Sequence, residues 1–250
     1  MSSILVSLTS IPPRFMHLEH TIKSIFAQTK PADYIIINIP KVYSRFPNNY
    51  ILSYFMTNTP NIILNMVDVD YGPATKLLGL QSSPIYKDLS ADSIIICIDD
   101  DRVYNPNMIE TFMSYINEHE VLTVAGWDIS TISKNALSHE PTLLPRGIEF
   151  TQAGYIDILG GCCSFALTKN KSPLDDPDIY LLSPDDPKYY VDDVWISGFL
   201  TKNNIPIYMI PNDDAKRSHN DYVFPLYDHT RTDKNIACIL YFREKYNIWN

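Results

Sequence analysis

Ile94-Ile95-Ile96-Cys97-Ile98-Asp99-Asp100-Asp101 is an apolar run that stops on three consecutive carboxylates. Five apolar residues without polar alternation make a strand buried on both faces, as in a parallel sheet covered by helices. Three like charges crowded at the carboxyl end of such a strand repel one another unless a cation neutralises them, and a divalent metal is the natural occupant. The position adds weight, because ligands of open α/β sheets bind in the crevice outside the carboxyl ends of strands. A solvated acidic turn is the alternative, but a turn needs neither three acids nor so apolar a strand.

Outward from this run the chain alternates short apolar segments with helical patterns. Ile4 to Leu8 reads as a strand, Phe15, Leu18, Ile22, Ile25 and Phe26 recur at helical spacing, and Tyr34 to Ile39 is a second strand. Asn61 to Val67 gives a third, Pro73 to Leu80 opens a helix with proline near its first turn, and Ser93 to Ile98 is the fourth. Met108, Ile109, Phe112 and Ile116 form another stripe before a strand at Val121 to Ala125. Beyond it the order loosens. Gly126 to Tyr155 reads as a long polar loop with room for a hairpin, and Ile156 to Leu167 is apolar but broken at Gly160-Gly161. Ser172 to Lys188, rich in Pro and Asp, reads as a surface excursion, followed by a helix at Val194 to Leu200 and a strand at Ile205 to Ile210. There is no internal repeat, and the 18 prolines punctuate elements without forming a linker. The expectation is an α/β fold with a mixed, mostly parallel sheet flanked by helices, in a single domain over 1–250.

Composition narrows the function classes. With 45% hydrophobic and 12% aromatic residues the chain has the means to build a core. Twenty Lys and Arg against 29 Asp and Glu leave a net charge of −9, a field that repels nucleic acid and anionic lipid, so a phosphate ligand must be held locally. Four cysteines, two of them adjacent at Cys162 and Cys163, form no spaced framework. No stretch approaches the roughly 20 apolar residues of a membrane span. The first ten residues lack the basic segment of a signal peptide, and the expected location is cytoplasmic.

Two further features bear on chemistry. Asp192-Asp193 stands directly before Val194-Trp195-Ile196-Ser197-Gly198-Phe199-Leu200. Helix capping would explain one of these acids, and the other is available as a general base held at a helix start. His219, in Lys216-Arg217-Ser218-His219-Asn220, is by itself an ordinary loop histidine. Its interest comes from its order after the acidic motifs.

The strand ending in Asp-x-Asp, the Gly160-Gly161 turn, the later Asp192-Asp193 and the tail His219 together resemble the ordered signature of GT-A (Rossmann-like) fold glycosyltransferases, which use nucleotide sugars and usually a divalent metal. Ser7-Leu8-Thr9-Ser10-Ile11-Pro12-Pro13-Arg14-Phe15, Asp70-Tyr71-Gly72-Pro73-Ala74-Thr75-Lys76-Leu77-Leu78 and Asp193-Val194-Trp195-Ile196-Ser197 are similar to small glycosyltransferase domains of bacteria and of large DNA viruses such as those of algae. The resemblance spans roughly Ile4 to His219 and leaves the Ser172 to Lys188 stretch unassigned.

The resemblance implies roles for particular residues. Residues 1–125 would form a nucleotide-binding half and 126–250 an acceptor-binding half. Asp101 would bind the metal with His219, Asp99 would face the ribose, and Asp100 would reach either group. Thr9 and Ser10 would lie against the nucleobase, and Arg14 and Lys76 near the base or diphosphate. A carboxylate and imidazole site suits Mn²⁺, with Mg²⁺ the alternative. Gly160 and Gly161 would let the backbone approach a sugar. Trp127, Tyr155 and Trp195 would offer stacking faces to acceptor rings. Asp193, or alternatively Asp192, would deprotonate the acceptor hydroxyl of a glycan or glycoprotein in a single inverting displacement, with a UDP-sugar as the default donor.

Two rivals stand beside this reading. Asp99-Asp100-Asp101-Arg102-Val103 also fits the Asp-x-Asp-x-Val pattern of haloacid-dehalogenase-like, Mg²⁺-dependent phosphatases, with Asp99 as nucleophile, Asp101 as acid/base and Asp192-Asp193 as metal partners. Against it, that motif usually opens the chain. The other rival is a non-catalytic carbohydrate-binding module, which would have no need of a base.

Overall fold

A computed structural model describes residues 2–46, 50–129, 143–146, 153–161, 163–210, 216–217 and 230–250. The Ile94–Ile98 run is strand β4, fully buried, and it sits in the middle of an eight-stranded sheet. Around it lie β1 (Ile4–Thr9), β2 (Tyr34–Pro40) and β3 (Ile62–Val67), all parallel. On the other side of β4, β11 (Ser164–Thr168) runs antiparallel and is followed by β6 (Val121–Thr123), β12 (Ile207–Met209) and β9 (Gly154–Ile156). The order is β3-β2-β1-β4-β11-β6-β12-β9. This is the mixed, mostly parallel α/β sheet expected, in a single domain.

Side-chain alternation divides the core in two. Leu5, Ile95 and Cys97 point into one cluster, while Ile4, Val6, Leu8, Ile94, Ile96 and Ile98 point into the other. Both faces are covered, which is why β4 carries no polar alternation. The second cluster is closed by α1 (Leu18–Phe26) through Leu18, Ile22 and Ile25, and by α5 (Met108–Tyr115) through Met108, Ile109 and Phe112. The first is closed by α3 (Thr75–Leu78), α6 (Asp192–Lys202) and α7 (Arg231–Tyr246). Helix α6 is buried from Asp192 through Leu200, as expected of a helix surrounded by protein.

Several elements depart from expectation. Pro73 to Leu80 is one turn of α-helix between 3₁₀ turns at Gly72–Ala74 and Gly79–Ser82. The loop after β6 does contain a hairpin, β7 (Gly126–Ile129) against β8 (Leu143–Arg146), and β7 also pairs with β10 (Ile158–Leu159). Ser172 to Lys188 is no mere excursion: its 3₁₀ turns bury Leu174 and Ile179, the carbonyl of Ile179 accepts the Trp195 indole N–H at 2.9 Å, and the 3₁₀ turn at 187–190 follows with Tyr189. That run covers α6. Short helices at Tyr54–Asn58 (α2) and Pro84–Asp88 (α4), and the 16-residue α7, have no counterpart in the sequence expectations. Among the described residues no helix is long and apolar enough to cross a membrane.

Polar groups inside the sheet position α3. Asn38 in β2 donates to Ser7 Oγ at 2.9 Å, and Ser7 Oγ donates to the carbonyl of Lys76 at 2.5 Å. Asn65 in β3 donates to Asn38 Oδ1 and to the Gly79 carbonyl, both at 2.8 Å. Buried amides are stable only when paired, so these bonds hold the 76–79 backbone on the sheet in one register.

Helices α6 and α7 meet at Gly198, where a Cβ would lie 2.3 Å from the fully buried Phe242 ring. Helix propensity alone predicts that Gly198→Ala stabilises by about 1 kcal/mol. Overpacking at Phe242 predicts the opposite sign, a net loss of about 1–2 kcal/mol, read as a lower urea midpoint with an unchanged slope.

Candidate active site

Strand β1 has β2 on one side and β4 on the other, so the crevice outside the carboxyl ends of β1 and β4 lies where the parallel strand order reverses. The first of these ends delivers Ser10 and Arg14, and the second delivers Asp99, Asp100 and Asp101. Arg14 ends a 3₁₀ turn, Pro12–Arg14, whose proline sits in the first turn.

The three acids have different surroundings. Asp100 is buried: Ser10 Oγ donates to its Oδ2 at 2.6 Å, Arg14 Nη1 donates to its Oδ1 at 2.7 Å, and Thr21 Oγ1 donates to its carbonyl at 2.9 Å. Each carboxylate oxygen accepts a hydrogen bond from the loop after β1, which ties that loop to the acidic turn. Asp99 and Asp101 retain more exposure, 27% and 18% of their side chains against 8% for Asp100. Asp101 Oδ2 lies 3.2 Å from Arg14 Nη1. The Asp99 N–H donates to Tyr104 Oη at 2.9 Å, and that hydroxyl donates to the Cys163 carbonyl at 2.7 Å, tying the acidic turn to the segment after Gly161.

Lys76 is almost wholly buried and joins the motifs. Its ammonium lies 2.7 Å from Asp99 Oδ1, 2.9 Å from Asp192 Oδ2 and 3.2 Å from the Gly161 carbonyl. Burial alone would depress its pKa, but Asp192, Asp99 and Asp193 outweigh burial and hold it well above the ordinary lysine value. Two of these contacts are hydrogen bonds, to Asp99 Oδ1 and the Gly161 carbonyl, and the third is an ion pair with Asp192. Burial raises the Asp99 carboxyl above the ordinary range, against the pull of Lys76.

Asp192 and Asp193 are the first two residues of α6, whose N-cap is Val191 with no side-chain cap, so neither acid caps the helix. Both are buried. Asp193 Oδ1 accepts the Gly161 N–H at 2.9 Å, and its Oδ2 lies 3.3 Å from Arg231 Nη2. Its carbonyl accepts Ser197 Oγ at 2.6 Å, and that hydroxyl in turn accepts the Leu159 N–H at 3.0 Å. Burial and then the charge of Asp192 push the Asp193 carboxyl up to about 7, against Arg231 and Lys76. Such a carboxylate can both lose and regain a proton near neutrality.

Gly161 is required here for close approach. A Cβ on it would lie 2.4 Å from Asp193 Oδ1 and 3.2 Å from Lys76 Nζ. Its N–H and carbonyl bond Asp193 and Lys76. Gly160 packs its backbone on the Ala125 carbonyl.

The remaining expected residues are dispersed. Ser10 directs its hydroxyl to Asp100, and Thr9 directs its own to the Asn38 carbonyl at 2.8 Å. Trp127 is half-buried in β7, and Tyr155 is exposed on β9. Trp195 is corrected: it is fully buried, packed against Phe199, Tyr241 and Phe242, and presents no ring face to an acceptor. His219 lies outside the described residues. Among the described residues no three His, Cys, Asp or Glu side chains converge as a metal set. Sequence reasoning missed Arg231, Tyr104 and Ser197. Asn38 and Asn65 did carry a signal, as amides inside apolar strands.

No protein-family model and no curated protein sequence matches the chain. Solved structures do. The crystal structure of S. aureus TarS 1–349 superposes with a TM-score of 0.51 at 11% identity, over 100% of this chain and 74% of that one. 4-Diphosphocytidyl-2C-methyl-D-erythritol synthase superposes with a TM-score of 0.52 at 9% identity, over 94% of this chain and 100% of that one. A second TarS 1–349 structure, in complex with UDP, gives 0.47 at 14% identity over 86% and 59%. At these identities the likeness is one of fold, and the fold is GT-A-like.

The Asp193 carboxyl sits above its ordinary value of 3.8, so the folded state holds that proton more tightly than the unfolded chain does. Its contribution to stability therefore falls as pH rises from about 4 to about 7. Asp193→Asn removes this penalty: the melting temperature should rise at pH 8, and its decline between pH 4 and 7 should flatten relative to the wild type. Lys76→Ala leaves Asp99 and Asp192 without their shared counter-ion and should cost about 3–5 kcal/mol in chemical denaturation.

Proposed function

We propose that the protein is an inverting glycosyltransferase that moves a sugar from a nucleoside-diphosphate donor, first of all a UDP-sugar, to a hydroxyl of a glycan or glycoprotein acceptor. The observation that supports it best is that one buried lysine joins the acidic motif at the sheet's switch point, through Asp99, to the start of α6, through Asp192, next to which the Asp193 carboxyl is poised near neutrality. The acidic motif suits the nucleotide end of a donor, and the poised carboxylate suits the acceptor end.

The chemistry follows from where charge moves. The acceptor oxygen attacks the anomeric carbon, its proton passes to an Asp193 oxygen, and the bond from that carbon to the diphosphate breaks, leaving negative charge on the departing phosphate. Asp193 suits the base better than Asp192 because burial and the charge of Asp192 hold its carboxyl near neutrality. Asp99, the most exposed acid of the motif, suits the ribose, and Arg14, beside Asp101, suits the diphosphate.

A divalent ion, Mn²⁺ or Mg²⁺, fits the carboxylate of Asp101, and when bound it would stabilise the leaving diphosphate. His219, outside the described residues, is the proposed second protein ligand. Strand β13 (Lys216–Arg217) pairs antiparallel with β5 (Arg102–Val103), setting Arg217 opposite Arg102, next to Asp101. The phosphatase rival needs Asp192 and Asp193 as metal partners, whereas here they are held by Lys76 and by Arg231 with the Gly161 N–H.

Calorimetric titration of UDP with Mn²⁺, with Mg²⁺ and with EDTA tests the donor side, with UDP chosen because TarS 1–349 has been crystallised with it. Metal-dependent micromolar binding that Asp101→Ala abolishes is expected. No binding of UDP, GDP or dTDP under any metal condition would sink the proposal. On the acceptor side, Asp193→Asn should lower donor turnover about 10²- to 10⁴-fold while leaving UDP affinity within twofold.

A further inference from the structure

We infer that Arg231 is the positioning residue of this site: its guanidinium clasps the first turn of α6 from the C-terminal helix and fixes Asp193 for proton transfer. The inference rests on the proposed role of Asp193 as base. Arg231 Nη1 donates to the Tyr190 carbonyl at 2.5 Å, and Nη2 lies 3.3 Å from Asp193 Oδ2. Tyr190 precedes α6 and Asp193 is its second residue, so one planar group spans the helix start. The other oxygen, Oδ1, is held by the Gly161 N–H at 2.9 Å. Both oxygens of the carboxylate are thereby fixed, from two segments far apart in sequence.

Apolar packing of α7 on α6 braces the clasp. Cys238, Ile239 and Phe242 of α7 are fully buried in the same cluster as Trp195 and Phe199, and Phe242 fills the space over Gly198. Guanidinium geometry suits the task, since it presents several donors in one plane and stays charged at any pH of interest.

The charge balance gives Arg231 a second effect. The charged groups that act on Asp193 are Asp192 on its own helix, Asp99 after β4, Lys76 on α3 and Arg231 on α7. Lys76 is already shared between Asp99 and Asp192. Among the described residues, Arg231 is the cation paired directly with Asp193. Removing it leaves a buried carboxylate beside Asp192 with weaker opposition to protonation, and a protonated Asp193 accepts nothing from an acceptor hydroxyl. The donor end of the site, at Asp101 and Arg14, is untouched.

The test compares wild type, Arg231→Lys and Arg231→Gln. In transferase assays across pH 5 to 9, Arg231→Gln should move the acidic limb of kcat/KM upward by about one unit or more, which is about tenfold at pH 6. The donor KM should stay within twofold, and Arg231→Lys should recover much of the lost rate. An unmoved limb, or Lys and Gln variants that behave alike, overturns the inference. Carbon-13 NMR titration of the Asp193 carboxyl, assigned with Asp193→Asn, gives a readout that needs no turnover. An upward move in Arg231→Gln supports the clasp even if no glycosyl transfer is found, in which case the proposed function alone fails. An Asp193 carboxyl that titrates identically in wild type and Arg231→Gln overturns the clasp whatever the enzyme does.

Discussion

The buried ammonium of Lys76 is the group on which the site's architecture rests. Taking an ammonium out of water costs several kcal/mol, and the cost is offset only where carboxylates and carbonyls surround it with good geometry. Here the acceptors come from three separate segments: Asp99 after β4, Asp192 at the start of α6, and the carbonyl of Gly161. The Ser7, Asn38 and Asn65 hydrogen bonds hold the 76–79 backbone from beneath. The lysine therefore acts as an internal counter-ion that forces the acidic turn and the acidic helix start into one place. Without a cation between them, Asp99 and Asp192 would repel each other across a poorly hydrated space.

The same electrostatics explain why the acids differ in temperament although they share a side chain. Asp100 is neutralised by Arg14 and bonded by Ser10, so it serves the fold. Asp193 is buried beside Asp192 with Arg231 3.3 Å away, and it is left with a proton affinity near neutrality. Environment assigns each carboxylate its task. A site arranged this way is held under strain, because a poised buried acid costs stability that the surrounding packing must supply.

Much of this was legible in the sequence, and the boundary between legible and hidden has a physical origin. The β4 run announced a doubly covered strand because burial on both faces leaves no polar alternation, and its terminal acids announced a charged site at the strand's carboxyl end. Asp192 and Asp193 were legible as acids at a helix start. What remained hidden depends on contacts between segments far apart along the chain. Arg231 meets Asp193 across 38 residues, and nothing near it in sequence marks it out. Helix α7 was missed because only Cys238, Ile239 and Phe242 are buried along its 16 residues, too thin a stripe to read. Trp195 misled for the opposite reason. A large ring one turn from an acid suggests a platform, but α6 is buried on every side, and the 172–188 run that covers it looked like surface for its prolines and aspartates.

Two glycines show how tightly the charged site and the apolar core constrain each other. The chain has only eight glycines, and at Gly161 and Gly198 the missing Cβ is a matter of space. At Gly161 the space admits Asp193 and the Lys76 ammonium to the same stretch of backbone. At Gly198, five residues further along the helix that carries Asp193, it admits the Phe242 ring and so brings α7 against α6. The second approach is purely apolar, and it joins the same two helices that carry Asp193 and Arg231. The electrostatics of the carboxylate are thus set in part by a hydrophobic contact more than a turn away. In a dense core a change of even one methylene is felt, so the contact at Gly198 constrains how α7 sits on the helix that carries Asp193.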